Sequence, residues 1–163
     1  MGVKEDFFQW ALGDGIRTLQ EKLDVAAIQE KYNSKAERIL KIDIQDIATP
    51  AVFIQVKNGN ILQLSEHPKP DVTVTFKHLS TFLDMIFKPN ALERIFAYEG
   101  RVLRGGVLVK EVWFEGDWLS GSIILQRIFQ EYVEVLRTIL KSSKFFRVIV
   151  IPGAKLKRAV SRG

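Results

Sequence analysis

At 163 residues, 47% hydrophobic and 26% charged, the chain has the size of one domain with a sizeable core and the composition of a soluble globular protein. It has no cysteine, which excludes disulfides and cysteine-ligated metal sites. Its net charge of +5 is polarised: eight basic residues and no acidic one follow Glu134, so the first 134 residues hold 16 basic and 19 acidic side chains, a net of −3.

The N-terminus, MGVKEDFFQWALGDG, mixes acids with a short apolar run and lacks the basic-then-apolar order of a signal peptide. No apolar run reaches the length of a bilayer span. The expectation is a cytoplasmic protein. Phe7, Phe8, Trp10, Ala11 and Leu12, then Ile16, Leu19 and Leu23, follow helical spacing, with Gly13 and Gly15 predicted to interrupt or bend that helix. Asp24 is placed to cap a second, short helix through Ile28 to Tyr32.

The period then changes to two. Leu40, Ile42 and Ile44 alternate with Lys41, Asp43 and Gln45; Val52, Ile54 and Val56 alternate with Phe53, Gln55 and Lys57; Val72, Val74 and Phe76 alternate with Thr73, Thr75 and Lys77. Such strands suit a largely antiparallel sheet covered on one side. Asn58-Gly59 predicts a type I′ hairpin turn into a strand from Ile61 to Leu64, and His67-Pro68-Lys69-Pro70 predicts a turn before the fourth strand. Ser80 or Thr81 can cap a helix that runs through Phe87 and stops at Pro89, and Asn90 a further helix closed by Gly100. Gly105-Gly106 predicts another hairpin, and a long helix signalled at Asp117 ends the domain.

Catalytic signatures are scarce. His67 and His78 lack metal-ligand spacing, and there is no nucleophile elbow and no phosphate-binding loop. Gly100 to Gly106 follows a helix and precedes a strand, the reverse of a phosphate cradle. Asp117 suits a helix cap and Glu115 a solvated strand edge. The predicted protein is not an enzyme, holds no metal or cofactor, and does not bind nucleic acid: Lys155, Lys157 and Arg158 lack an ordered aromatic platform, unless Phe145 and Phe146 supply one.

Several motifs in order resemble the sterol carrier protein type-two family. They are Val56-Lys57-Asn58-Gly59, Pro70-Asp71-Val72-Thr73-Val74-Thr75, the helical run Phe82 to Phe87, and Gly116-Asp117 before an apolar helix; together they span about Leu40 to Tyr132. The resemblance implies an α+β domain with a five-stranded, mainly antiparallel sheet, covered on one face by helices and enclosing an apolar tunnel. It implies nonspecific lipid carriage. The chain departs from the family pattern between Gly100 and Gly116, where either Arg101 to Leu103 stands for the family's last strand or the intervening hairpin is an insertion.

The last helix has an odd beginning. Leu125, Ile128, Phe129, Tyr132, Val133, Leu136 and Leu140 define a wide apolar arc, yet Gly121 and Ser122 fall inside it. Missing side chains leave either close backbone packing or empty space. Beside the resemblance, space is the expected outcome. The ligand-binding set is then Phe82, Met85, Ile86, Leu92, Ile95, Phe96, Leu119, Gly121, Ser122, Ile123, Leu125, Ile128 and Phe129. The ligand would be a fatty acyl, isoprenoid or sterol-like lipid. The domain is expected to cover 1–152, with a basic tail at 153–163 whose Lys155, Lys157, Arg158 and Arg162 either dock transiently on an anionic membrane or stay solvated. The alternative function is an accessory protein whose apolar face holds a partner enzyme of lipid or quinone metabolism.

Overall fold

A computed structural model describes residues 3–34, 36–48, 50–65, 69–88, 90–118 and 123–142, with side chains from Gln9 onward. The tail at 153–163 and the domain boundary before it lie outside these residues. The elements are α1 (Val3–Lys22), α2 (Val25–Lys31), β1 (Arg38–Ile44), β2 (Val52–Lys57), β3 (Asn60–Leu64), β4 (Val72–Phe76), α3 (Leu79–Phe87), α4 (Ala91–Ala97), β5 (Arg101–Arg104), β6 (Val107–Lys110), β7 (Val112–Gly116) and α5 (Ile123–Ser142). This is an α+β domain.

Among the described residues five strands form one sheet in the order β3-β2-β1-β4-β7, and β5 and β6 pair only with each other. The sheet is mixed. The pairs β1·β2, β2·β3 and β4·β7 are antiparallel, but β1 and β4 run parallel, with Leu40 opposite Val72 and Ile44 opposite Phe76. Alternation cannot reveal this, because both strand orientations share period two. Parallel neighbours need a crossover, usually a helix. Here the crossover is the β2–β3 hairpin itself, which fills one edge of β1 and leaves the other to β4. The Asn58-Gly59 turn has the two positive φ values, 50° and 78°, that a type I′ turn requires. Its Gly59 N–H donates to Gln29 Oε1 at 2.7 Å, fixing the hairpin to α2.

The register puts Leu40, Ile42, Ile44, Ile54, Val56, Val72, Val74, Phe76 and Val112 on one buried face, under the helices. The opposite face is less polar than alternation implies: Ile39, Phe53, Gln55 and Thr73 are also buried. Gln55 donates its amide to Glu37, and Lys41 Nζ lies 5.7 Å from the Phe53 ring centroid, so both have partners.

The first helix is unbroken through Gly13 and Gly15, against expectation. The reason is spatial. A Cβ on Gly15 would lie 2.9 Å from both Tyr132 Cε1 and Leu136 Cδ2 of α5, so its absence lets the two helices approach. Ala11, Leu12, Ile16 and Leu19 are the buried stripe of α1, and Trp10 stays half exposed. Asp24 caps α2 as expected, its carboxylate accepting from Ala27 N–H at 3.1 Å. The wide arc of α5 also has a packing account. The helix contacts α1, α3 and β1 at once, so side chains around much of its circumference are buried.

Candidate functional site

The third helix is short and held at both ends by distant residues. Its first free amide, Leu79 N–H, donates to Asp46 Oδ1 at 2.7 Å, from the loop after β1. That replaces the expected Ser80 or Thr81 cap, and the residue before the helix, His78, makes no side-chain cap bond. At the other end Arg137 of α5 donates to the Ile86 carbonyl, satisfying one of the orphan acceptors there. Thr81 is free of capping and is buried, its hydroxyl accepting from Arg104 Nη2 at 3.4 Å. Asn90 precedes α4 with a left-handed backbone, φ 60°, and no cap bond from its side chain, which corrects its expected role.

Gly100 joins this helical pair to the strands beyond. Its N–H donates to Ile95 O at 2.7 Å, closing α4, and its carbonyl accepts from both Glu111 and Val112 N–H at 3.0 Å. Its φ is +86°, and a Cβ would stand 1.8 Å from Val112 O, so only glycine fits. The loop thus brings the start of β7 against the end of α4 and lets β5–β6 project as a separate ribbon. Among the described residues β7 is the strand that completes the main sheet, and β5–β6 form a separate hairpin.

A polar latch ties the ribbon to α3. Arg104 Nε donates to both carboxylate oxygens of Glu111, at 3.2 and 3.0 Å, and Arg104 Nη1 lies 3.9 Å from Asp84 Oδ2. Glu111 is 5% exposed, so a bidentate partner offsets the cost of burying its charge.

Between α3, α4 and the ribbon lies a cleft of about 530 Å³, open to solvent. Met85 and Ile95 supply its buried apolar side, Val102, Leu103 and Leu108 its ribbon wall, and Tyr98 and Ala91 its flank. Lys88, Arg94, Arg101 and Arg104 stand around it with one acid, Asp84. Lys88 Nζ is 3.3 Å from Asp84 and Arg101 is 3.5 Å from Glu99, while Arg94 has no ion-pair partner among the described residues. The volume is that of a small-molecule site. A second hollow of about 430 Å³, between α4 and α5, is lined by Leu92 and mostly polar side chains such as Gln130, Glu131 and Glu134.

The expected ligand-binding residues divide between this cleft and the core. Met85 and Ile95 line the cleft. Phe82, Ile86, Leu125, Ile128 and Phe129 are buried in the packing between α3, α5 and the sheet. Phe96 stacks on Phe114 at 4.7 Å and meets Trp118 and Phe129 edge-on, making an aromatic group that joins α4, β7 and α5. Leu92 lies in the second hollow, and Ile123 is 40% exposed. Leu119, Gly121 and Ser122 lie outside the described residues, as do His67 and the basic Lys155, Lys157, Arg158 and Arg162. Asp117 precedes the undescribed residues 119–122, and the described α5 begins at Ile123.

The acids and the histidine near the site have partners. Glu111 is held by Arg104, and His78 Nδ1 is 3.4 Å from Asp46 Oδ2, beside a helix cap. Among the described residues no three His, Asp or Glu side chains come together as a metal site, and no helix is long and apolar enough to cross a membrane. Sequence reasoning missed the ribbon wall, Arg94 and the Arg104–Glu111 latch. The available signal was a ten-residue hairpin, RVLRGGVLVK, with apolar residues at successive positions and no polar face.

No family model matches the chain, and no curated protein matches it. Among solved structures it is similar to UbiJ-SCP2, a ubiquinone synthesis protein, at 14% identity over 80% of this chain and 96% of that one, with a TM-score of 0.47. It is similar to sterol carrier protein 2 from Yarrowia lipolytica in its apo form, at 15% identity over 82% of this chain and 94% of that one, TM-score 0.44. It is also similar to a conserved hypothetical protein from Thermus thermophilus, described as possibly a sterol carrier protein, at 17% identity over 80% and 85% of the two chains, TM-score 0.42.

Proposed function

We propose that the domain binds and carries an apolar small molecule, of fatty acyl, isoprenoid or sterol-like kind, without acting on it chemically. The supporting observation is the cleft: apolar side chains of α3, α4 and the ribbon converge on a space of ligand size, with no assembled nucleophile and base beside it among the described residues. Each methylene buried contributes about 0.8 kcal/mol, so a long chain binds usefully with few polar contacts. Met85 and Ile95 are the floor in this proposal. The aromatic group around Phe96 is where an apolar tunnel would continue inward in this proposal, towards Phe129.

The deciding experiment has two arms. Native mass spectrometry of protein purified without detergent should show copurified lipid. Titration with a fluorescent fatty acid should then be weakened by Ala91→Trp, which places a large ring at the cleft flank, while thermal unfolding stays near wild type. Unchanged affinity in a folded Ala91→Trp protein would remove the cleft from the function. A protein that carries no lipid and takes up no fatty acid, yet copurifies with an enzyme, would favour the accessory role.

A further inference from the structure

The β5–β6 ribbon is the most apolar exposed feature among the described residues. Leu103 is 65% exposed, Val107 62%, Leu108 48% and Val109 38%. Leu103 and Leu108 face each other across the ribbon, and Arg104 pairs with Val107 beside the Gly105-Gly106 turn. Scattered exposed apolar residues are ordinary, but four in one ten-residue hairpin mark a surface that is covered in use. The ribbon's attachment is made by other groups: Val102 packs on the core, and Arg104 binds Glu111 and Thr81.

The surroundings point to what covers it. Arg101 and Lys110 pair at the ribbon's base, and Lys88 and Arg94 stand across the cleft from it. The nearby acids are engaged: Asp84 with Lys88 and Arg104, Glu99 with Arg101, Glu111 with Arg104. Exposed apolar side chains flanking the turn, with Arg104 bound to Glu111 and further cations behind, match the layering of an anionic bilayer, acyl chains beneath phosphate. Leu103 and Leu108 also form the cleft wall, so a ribbon seated in lipid would open the cleft towards the acyl region.

We propose that the β5–β6 ribbon is a membrane-docking element, which inserts Leu103, Val107 and Leu108 at the surface of an anionic bilayer and so presents the cleft to lipid. The last step rests on the ligand reading of the cleft; docking itself does not. The two fail separately, because vesicle binding is measured with no fatty acid added.

The test is cosedimentation of the full chain with vesicles of equal parts phosphatidylserine and phosphatidylcholine, and with phosphatidylcholine alone, at low and high salt. Wild type should bind the anionic vesicles, less at high salt and less to neutral ones. Leu103→Ser with Leu108→Ser, both at exposed positions, should keep the unfolding temperature and weaken binding about tenfold or more. A second full-length variant, Lys155→Gln, Lys157→Gln and Arg158→Gln, should retain the ribbon-dependent part. Equal binding by the serine variant, no vesicle binding by wild type, or complete loss in the glutamine variant would each overturn the proposal. So would sedimentation of wild type as a dimer and of the serine variant as a monomer, since the ribbon would then serve a second copy of the chain.

Discussion

The Tyr132 hydroxyl of α5 donates to the Leu12 carbonyl of α1 at 2.7 Å, at the level where Gly15 leaves out a side chain. The bond is fully buried, and burial pushes the phenol above the ordinary tyrosine range. The sign of the pH effect follows. Above about pH 10 an unfolded tyrosine loses its proton while the folded one keeps it. The unfolded state then binds fewer protons, and stability falls as pH rises. Below that pH the group contributes no slope. Tyr132→Phe should cost about 1 kcal/mol at neutral pH, and the cost should shrink in alkali. Urea midpoints for both proteins at neutral and alkaline pH check this; parallel pH profiles would contradict the burial argument.

Gly15 gives the companion prediction. Gly15→Ala puts a methyl against Tyr132 and Leu136 side chains, which must shift, and Gly15→Leu overpacks the contact. The leucine variant should lose about 1–3 kcal/mol. Helix propensity alone favours alanine over glycine by about 1 kcal/mol, so an alanine variant more stable than wild type would mean that the helices can separate slightly.

The same pair shows what could be read in advance. The stripe Ile16, Leu19 and the arc of α5 are visible as helical periods, because burial on one side leaves a repeating trace. Gly15 reads as a helix breaker, since propensity is local, and its reason lies more than a hundred residues away. The cap of α3 fails for the same reason: Asp46 is distant in sequence, and Ser80 and Thr81 were the local choices. Asn58-Gly59 was legible because a turn is made by its own two residues. Of the cleft, Met85 and Ile95 follow from the helix stripes. Leu103 and Leu108 do not, because a hairpin with no polar face gives no inside or outside to read.

The Arg104–Glu111 latch should matter to the ribbon more than to the core. Glu111→Gln leaves a neutral amide opposite the guanidinium and should cost about 1–3 kcal/mol. Amide exchange in residues 101–110 should quicken while exchange in β1 and β4 does not. A double-mutant cycle with Arg104→Met isolates the pair from each residue's other contacts. Additive losses would show that the two side chains do not act together.

Gly100 is the most constrained position in the site. Its carbonyl accepts from two successive amides of the chain entering β7, and its N–H closes α4, so two elements meet on one residue. Gly100→Ala combines two penalties. The residue must hold φ +86°, and its Cβ would fall inside the van der Waals shell of the Val112 carbonyl. Positive φ alone costs a non-glycine residue on the order of 1–3 kcal/mol. The clash involves backbone, which cannot rotate away, so the chain must move α4 or the edge strand. The expected loss is therefore about 3 kcal/mol or more, with the β4·β7 pairing weakened and the cleft distorted. Urea unfolding measures the first, and limited proteolysis around residues 98–112 reports the second. An alanine variant with a wild-type midpoint and wild-type protease resistance would show that α4 and β7 are not joined as tightly as this geometry requires.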